Sequence, residues 1–477
     1  MRKIKKALAL SLALAMGLSL VACGDKDDST TESKSSEATS EAASSEDASS
    51  EEASSEDASG AAKIEAPSTD GWDDSKKIYA YSWDEDFSKK LNIVLDKFPE
   101  YKDYVEFVTL GVGGTTDEYK TAIDTALTSG DKYPSLIPAD NDVAKYWSED
   151  DSKTANLYDL GFTDEMLANS YDFAKQYGTT NGELKCVTWQ ATAGSVYYRR
   201  DIAKEVLGTD DPETVQAALA DWDKFFETAE KLKGAGYKIV SGPSDVKYAI
   251  WDTQSQPWVT DDGSKETLTL DKSVTEYLET AKKIYDGEYS NNTSMWDNSW
   301  ASDMKDDSKV FCYFGCPWFI GSMQGNGATD GNWGAVTGPT SYHWGGTYVC
   351  VGKDTNNPEL AAFLLYELTC DPDVGVEITN KTGDCVNNKE ANARLIAGDL
   401  SADNAAAKFL GGQNPIEVWA ASAEGINLSN LTYQDASIKA FIDEASTAYN
   451  SGTYKSVDEA VKYIQDKCAS ELGISAE

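Results

Sequence analysis

The chain has 477 residues, and its 81 Asp and Glu outnumber 42 Lys and Arg, for a formal charge of −39. So acidic a chain offers no cationic surface to phosphates, which excludes a nucleic-acid partner. The single histidine, His343, excludes multi-histidine zinc sites and histidine proton relays, so no metal and no cofactor is expected. Function must run on carboxylates, amides, hydroxyls and rings.

Residues 1–22 have the form of an export signal. Arg2, Lys3, Lys5 and Lys6 precede the apolar run Ala7 to Leu20, which is short for a membrane span. The run ends in Leu20-Val21-Ala22-Cys23, which resembles the lipobox of bacterial lipoproteins. That resemblance implies cleavage before Cys23, lipid on its sulfur, and a mature protein anchored to the outer face of the cell membrane. Residues 23–66 follow as a tether. Ser44-Ser45-Glu46-Asp47-Ala48-Ser49 returns as Ser54-Ser55-Glu56-Asp57-Ala58-Ser59, and 12 acids against 2 lysines lie between Gly24 and Gly60. Such a segment buries too little to offset its ordering entropy and is expected to be disordered, spanning roughly 35 Å as a random coil. The remaining residues, 61–477, keep a charge of −33. That field disfavours anionic ligands and admits neutral ones.

From Ile78 onward strand signals alternate with helical periodicity, the mark of an α/β chain. Ile78 to Tyr81 reads as a strand, Phe87 to Phe98 as a helix stopped by Pro99, and Val105 to Val108 as a second strand. A helix over Thr115 to Ser129 closes at Gly130, and Ser135 to Ile137 is a third strand, with Asp140 opening a helix. Ser195 to Arg199, Lys238 to Val240, Lys309 to Phe314 and Thr347 to Val351 read as further strands. Between them Asp201 to Leu207, Pro212 to Leu232 and Asp271 to Tyr285 read as helical, and helices run from Pro358 almost to the end. The chain leaves one lobe, builds a second richer in helices, and returns, which makes a cleft able to close by hinge motion. Besides Cys23 there are seven cysteines, several in apolar runs; they are expected as buried thiols rather than a disulfide framework.

Tryptophan placement is the most informative feature. Trp83 stands in Ser82-Trp83-Asp84-Glu85-Asp86, Trp251 precedes Asp252, and Trp318 follows Cys316-Pro317. Trp296 and Trp300 are four apart, so one helical turn would put both on one side. Trp344 precedes Gly345-Gly346, which permit a tight loop presenting the ring. A pyranose has an apolar C–H face and a rim of hydroxyls, so its recognition needs flat rings beside carboxylates or amides. Trp222 and Trp333 are expected in the core.

Ala193-Gly194-Ser195-Val196-Tyr197-Tyr198-Arg199, the Asp201 to Glu205 segment, and Trp333 to Pro339 leading to Trp344-Gly345-Gly346-Thr347 resemble an extracellular solute-binding protein of carbohydrate ABC importers. The resemblance runs from about Ile78 to Ile464. It implies a two-lobed periplasmic-binding-protein-like fold over residues 67–477, lobe 1 at about 78–190 plus returning segments and lobe 2 at about 200–345 plus C-terminal helices. It further implies a monomer that takes a neutral oligosaccharide in the cleft and delivers it to permease subunits. Trp83, Asp84, Glu85, Asp140, Trp344, Gly345 and Gly346 would face the ligand. Trp251, Trp296, Trp300 and Trp318 join them on ring placement.

Two other readings stay open on sequence alone. A surface glycoside hydrolase needs two carboxylates about 5–10 Å apart, which 81 acids cannot exclude, although no eight-fold β-α repeat is present. A peptide-binding protein usually clamps a carboxylate with arginine, and Arg199, in a strand, reads as structural. Phosphate-cradling and calcium-loop patterns are missing.

Overall fold

The computed structural model describes residues 62–476. The export signal, the lipid-bearing Cys23 and the tether as far as residue 61 lie outside the described residues.

Two sheets organise the body. Their strands are β1 (Ile78–Ser82), β2 (Val105–Thr109), β3 (Pro134–Asp140), β4 (Ser195–Arg199), β5 (Cys312–Gly315), β6 (Trp333–Val336) and β7 (Thr347–Val351). The helices that frame them are α1 (Asp86–Lys97), α2 (Asp117–Ser129), α3 (Asn141–Ser148), α4 (Lys272–Asp286) and α5 (Phe319–Gly325). They are followed by α6 (Pro358–Cys370), α7 (Pro372–Thr382) and α8 (Asp435–Asn450). The first sheet has the order β7-β3-β1-β2, with β1 parallel to both β2 and β3. β7 comes back antiparallel to β3, setting Thr347 opposite Asp140. The second sheet, β6-β4-β5, is antiparallel throughout.

The β-α-β-α-β reading of the first half holds because its signals are local. β1 is apolar on both faces: Ile78 and Ala80 enter one core, Tyr81 the other. α1 buries Phe87, Leu91, Val94 and Leu95 on one stripe and gives way before Pro99. α2 is capped by Thr116, whose hydroxyl accepts the Tyr119 N–H at 3.3 Å, and ends at Gly130 in the left-handed region. Six of the seven described cysteines are buried and Cys370 is half-buried, all as thiols.

Three expectations change. Lys238 to Val240 is not a strand; it touches its neighbours through single bridges, Lys238 to Val310 and Val240 to Ser290, because Gly236 and Gly242-Pro243 leave too short an extended run. α6 and α7 pack against α1 on the first sheet rather than with the second lobe, where the C-terminal helices are expected; α8, by contrast, packs on α4. Trp296 lies outside any helix, with φ of 72°, so no helical turn joins it to Trp300, although the two rings still meet with centroids 5.1 Å apart.

The chain crosses between the sheets along residues 187–194 and returns along 337–346. These segments run antiparallel, bridged at Ala193 with His343 and, where the return has entered β7, at Val187 with Val349. A third crossing follows α7, where the Cys385 carbonyl accepts the Ala191 N–H at 2.9 Å.

Candidate functional site

A cavity of about 470 Å³ opens where the carboxyl ends of β1 and β3 face the segment after β5. Ligands of open α/β sheets meet the chain at such strand ends. Trp83 and Asp84 enter from the end of β1, Asp140 from the end of β3, and Gly346 and Thr347 from the start of β7. The opposite wall is Pro317, Trp318, Ile320, Gly321 and Gln324, at and within α5. Thr382, Gly383 and Asp384 on the third crossing close one side.

Each carboxylate sits at a strand-to-helix junction. Asp84 accepts the Asp86 N–H at 2.9 Å at the start of α1. Asp140 caps α3, accepting the Asp142 N–H at 3.0 Å. A helix N-terminus favours negative charge, yet burial works against it. Asp84 is open to the cavity, but protein on its other sides strips part of its hydration and raises its carboxyl. Asp140 is half-buried; burial first, and the Asp142 charge second, push its carboxyl up to about 7.

A buried network backs these acids. Gln190 donates to Asp384 at 2.8 Å and accepts the Thr347 N–H at 2.8 Å, tying the third crossing to β7. Lys90 pairs with Asp86 and stands 3.6 Å from Asp384. Burial alone would lower the Lys90 ammonium, but the charges of Asp384 and Asp86 raise it. Burial raises the Asp384 carboxyl, against the attraction of Lys90. The cation in the cavity wall is thus committed to two carboxylates.

The rings divide into those at the cavity and those behind it. Trp83 is half-buried, packed edge-on against Tyr119 at 5.6 Å and 90°. Gly114 lies so close to one face of Trp83 that a Cβ there would come within 2.7 Å of the ring. Trp318 is the ring of the facing wall. Trp344 is not: it is only 4 % exposed, stacked on Tyr248 at 5.0 Å and packed behind Trp318 at 5.2 Å. Gly345 and Gly346 both take positive φ, and a Cβ on Gly346 would meet Thr192 at 2.8 Å. That turn brings Gly346 to the cavity, lays Gly345 against Trp318 and sends the Trp344 ring inward, the reverse of the expected presentation.

Of the other expected residues, Trp251 and Trp300 are interior. Trp251 packs against Tyr277 of α4, and the Trp300 N–H donates to Asp245 at 2.7 Å. Trp296 is 51 % exposed and parallel to Trp318, with centroids 6.3 Å apart, just beyond the cavity lining. Glu85 is exposed and pairs with Lys89 at 3.5 Å, away from the cavity. Lys90, Gln190, Thr347 and Asp384 were not expected. Lys90 carried a signal: it falls on the apolar stripe of α1, where a lysine requires a buried carboxylate.

This geometry is accompanied by a clear kinship. A family model described as bacterial extracellular solute-binding protein matches residues 94–408. The chain belongs to that family. It is therefore the solute-binding component of an ABC importer and not an enzyme. The search of curated proteins found no relative. Among solved structures the solute-binding protein is similar to one titled extracellular solute-binding protein family 1, at 18 % identity and a TM-score of 0.67, covering 81 % of this chain and 97 % of that one. It is also similar to the galacto-N-biose-/lacto-N-biose I-binding protein from Bifidobacterium longum in complex with lacto-N-biose. That match has 15 % identity, a TM-score of 0.64, and covers 85 % of this chain and 100 % of that one. The sugar-binding protein MalE from Xanthomonas citri matches at 13 % identity and a TM-score of 0.62, over 82 % and 95 %. At these identities the shared property is the α/β periplasmic-binding-protein fold. No helix among the described residues is long and apolar enough to cross a membrane.

Proposed function

We propose that this protein captures a neutral oligosaccharide in the cavity and delivers it to the permease subunits of its importer. The observation that carries the reading is the pairing of walls. Trp83 and Trp318 offer indole surfaces from opposite sides, and Asp84 and Asp140 each keep an oxygen for a hydroxyl between them. Such a site covers the apolar face of a pyranose and accepts hydrogen bonds from its rim. Among the described residues lining the cavity Lys90 is the one cation, and Asp86 and Asp384 neutralise it, so it is not available to clamp a ligand carboxylate. The volume falls within the roughly 300–1,000 Å³ usual for small-ligand sites. The similar structure from Bifidobacterium longum holds lacto-N-biose, which agrees with a sugar ligand.

In this reading Gly346 lets the sugar approach the backbone, Trp296 extends the ring surface outward from Trp318, and Trp344 with Gly345 supports Trp318. Closure of the two lobes around the sugar shifts an open–closed population, and the closed form docks on the permease. The protein acts as a monomer held at the outer face of the membrane by lipid on Cys23, with the acidic tether as spacer. Isothermal titration calorimetry against a panel of neutral oligosaccharides tests the site directly. Heat saturating at one ligand per chain is expected with at least one of them; silence across the panel removes the proposal.

A further inference from the structure

Cys186 and Cys350 are 164 residues apart in the chain and face each other in the fold. Their neighbours Val187 and Val349 form an antiparallel bridge in which each N–H donates to the other's carbonyl, at 3.2 and 2.7 Å. An antiparallel ladder alternates such pairs with pairs that share no backbone bond. One step along, the second kind is Cys186 and Cys350. It brings Cα atoms to about 4.5 Å, inside the roughly 4.4–6.8 Å a disulfide spans. Alternation also puts both thiols on one face. They lie in the core with Tyr119, Tyr177 and Tyr348, while Val187 and Val349 lie in the other core. Contact with the Cys186 sulfur comes ahead of burial among the causes that raise the Cys350 thiol. Other thiols meet oxygen instead: Cys312 donates to the Ile239 carbonyl at 3.1 Å, and Cys385 faces the Asn392 side-chain oxygen at 4.0 Å.

We propose that Cys186 and Cys350 form a cross-strand redox pair that closes to a disulfide when the chain folds in the presence of a small-molecule disulfide oxidant. Both thiols are fully buried once the fold is complete, so the oxidant must meet them before the core closes. One cysteine thiolate attacks a sulfur of the external disulfide, breaking its S–S bond and releasing one thiolate. The second cysteine thiolate then attacks the mixed disulfide, forming the protein S–S bond and releasing the other thiolate. Two protein thiols and one external disulfide become one protein disulfide and two external thiols, with the two protons taken up by the departing thiolates. The bond fixes the register of the two crossing segments at their first-sheet end. It places no cross-link between residues 188–194 and 342–348, where those segments pass to the second sheet.

The test refolds the full chain from denaturant with oxidised glutathione or with a thiol reductant, alkylates it in denaturant, and maps it by non-reducing mass spectrometry. The oxidised sample is expected to yield a linked peptide pair containing Cys186 and Cys350, lighter by two hydrogen atoms than the two free peptides. Its melting midpoint should lie about 5 °C above that of the reduced sample, because the loop closed in the unfolded chain is long. The Cys350→Ala variant should give no such pair and no difference between the two conditions. Equal alkylation of both cysteines in the two conditions, or linkage of either one to a different cysteine, overturns the proposal; both readouts come from the parent chain and do not depend on the variant folding.

Discussion

On the first wall of the cavity Trp83, Asp84 and Asp140 stand where parallel strands hand over to helices; on the second, Trp318 stands at the start of α5 with other aromatic rings behind it. The first wall is positioned by backbone. Its acids are held by N–H groups of the next turn, so their placement follows from where β1 and β3 end. The second wall is positioned by side chains. Trp318 is oriented by its own neighbour Phe319 and by Trp344 and Trp296, which come from two other segments. A wall made of backbone junctions tolerates change beyond its own residues, whereas a wall made of stacked rings transmits it.

The largest effect should come from the second wall's support. Trp344→Ala removes a buried ring touching Tyr248, Phe319 and Trp318 and should cost about 3–5 kcal/mol in urea unfolding. A loss under half that would show that the ring stack is not what positions this wall. Trp318→Ala should leave the fold largely intact while weakening the best sugar of the calorimetric panel about 50-fold, the worth of one stacked, desolvated indole. An unchanged affinity would move the binding surface to the first wall alone.

Asp140 supplies the third comparison. Its folded carboxyl titrates at about 7, above the ordinary value of 3.8, because of burial and then Asp142. The folded state therefore holds the proton that the unfolded state has released, and stability falls as pH rises between about 4 and 7. Asp140→Asn keeps the helix cap and removes that fall. After discounting for solvent at a half-buried group, the variant should gain about 2 kcal/mol over the parent at pH 8 and nothing below pH 4. Parallel melting curves across that range would sink the assignment. Trp300→Phe, one ring behind the second wall where Trp300 packs on Trp296 at 5.1 Å and on Phe319 at 5.6 Å, deletes the N–H donated to the buried Asp245, whose carboxyl burial already pushes up to about 6. Stability should drop about 1–2 kcal/mol, and sugar affinity should fall less than in Trp318→Ala because the phenyl ring keeps part of the packing on Trp296 and Phe319. Smallest of all, Glu85→Gln should alter affinity less than about twofold, since a surface ion pair is worth little.

The first wall was legible in the amino-acid sequence from its strand ends; of the second, Trp318 was a candidate on ring placement alone, alongside rings that turn out to be interior. Trp83 and Asp84 follow β1 and Asp140 ends β3, strands that could be placed from apolar runs and from the helix stops Pro99 and Gly130 between them, although β3 runs past its apolar run as far as Asp140. Trp251, Trp300 and Trp344 stand beside polar residues yet are interior, whereas the cavity ring, Trp318, lies between Pro317 and Phe319 in an apolar run, so local composition points the wrong way. Which way an indole faces depends on what packs on its other side, and those partners lie far away in the chain. Asp384 escaped notice for the same reason: its cation, Lys90, and its amide, Gln190, come from distant segments.

Short-range chemistry therefore set the α/β character, the parallel order of the first three strands, the acidic field and the scarcity of cations able to hold an anion. Only the folded chain decided that Trp318 rather than Trp344 walls the cavity, that α6 and α7 serve the first sheet, and that Cys186 meets Cys350. Periodicity and capping act over one or two turns and so are written into neighbouring residues. Juxtaposition of crossing segments is settled by burial across the whole core, which neighbouring residues do not encode.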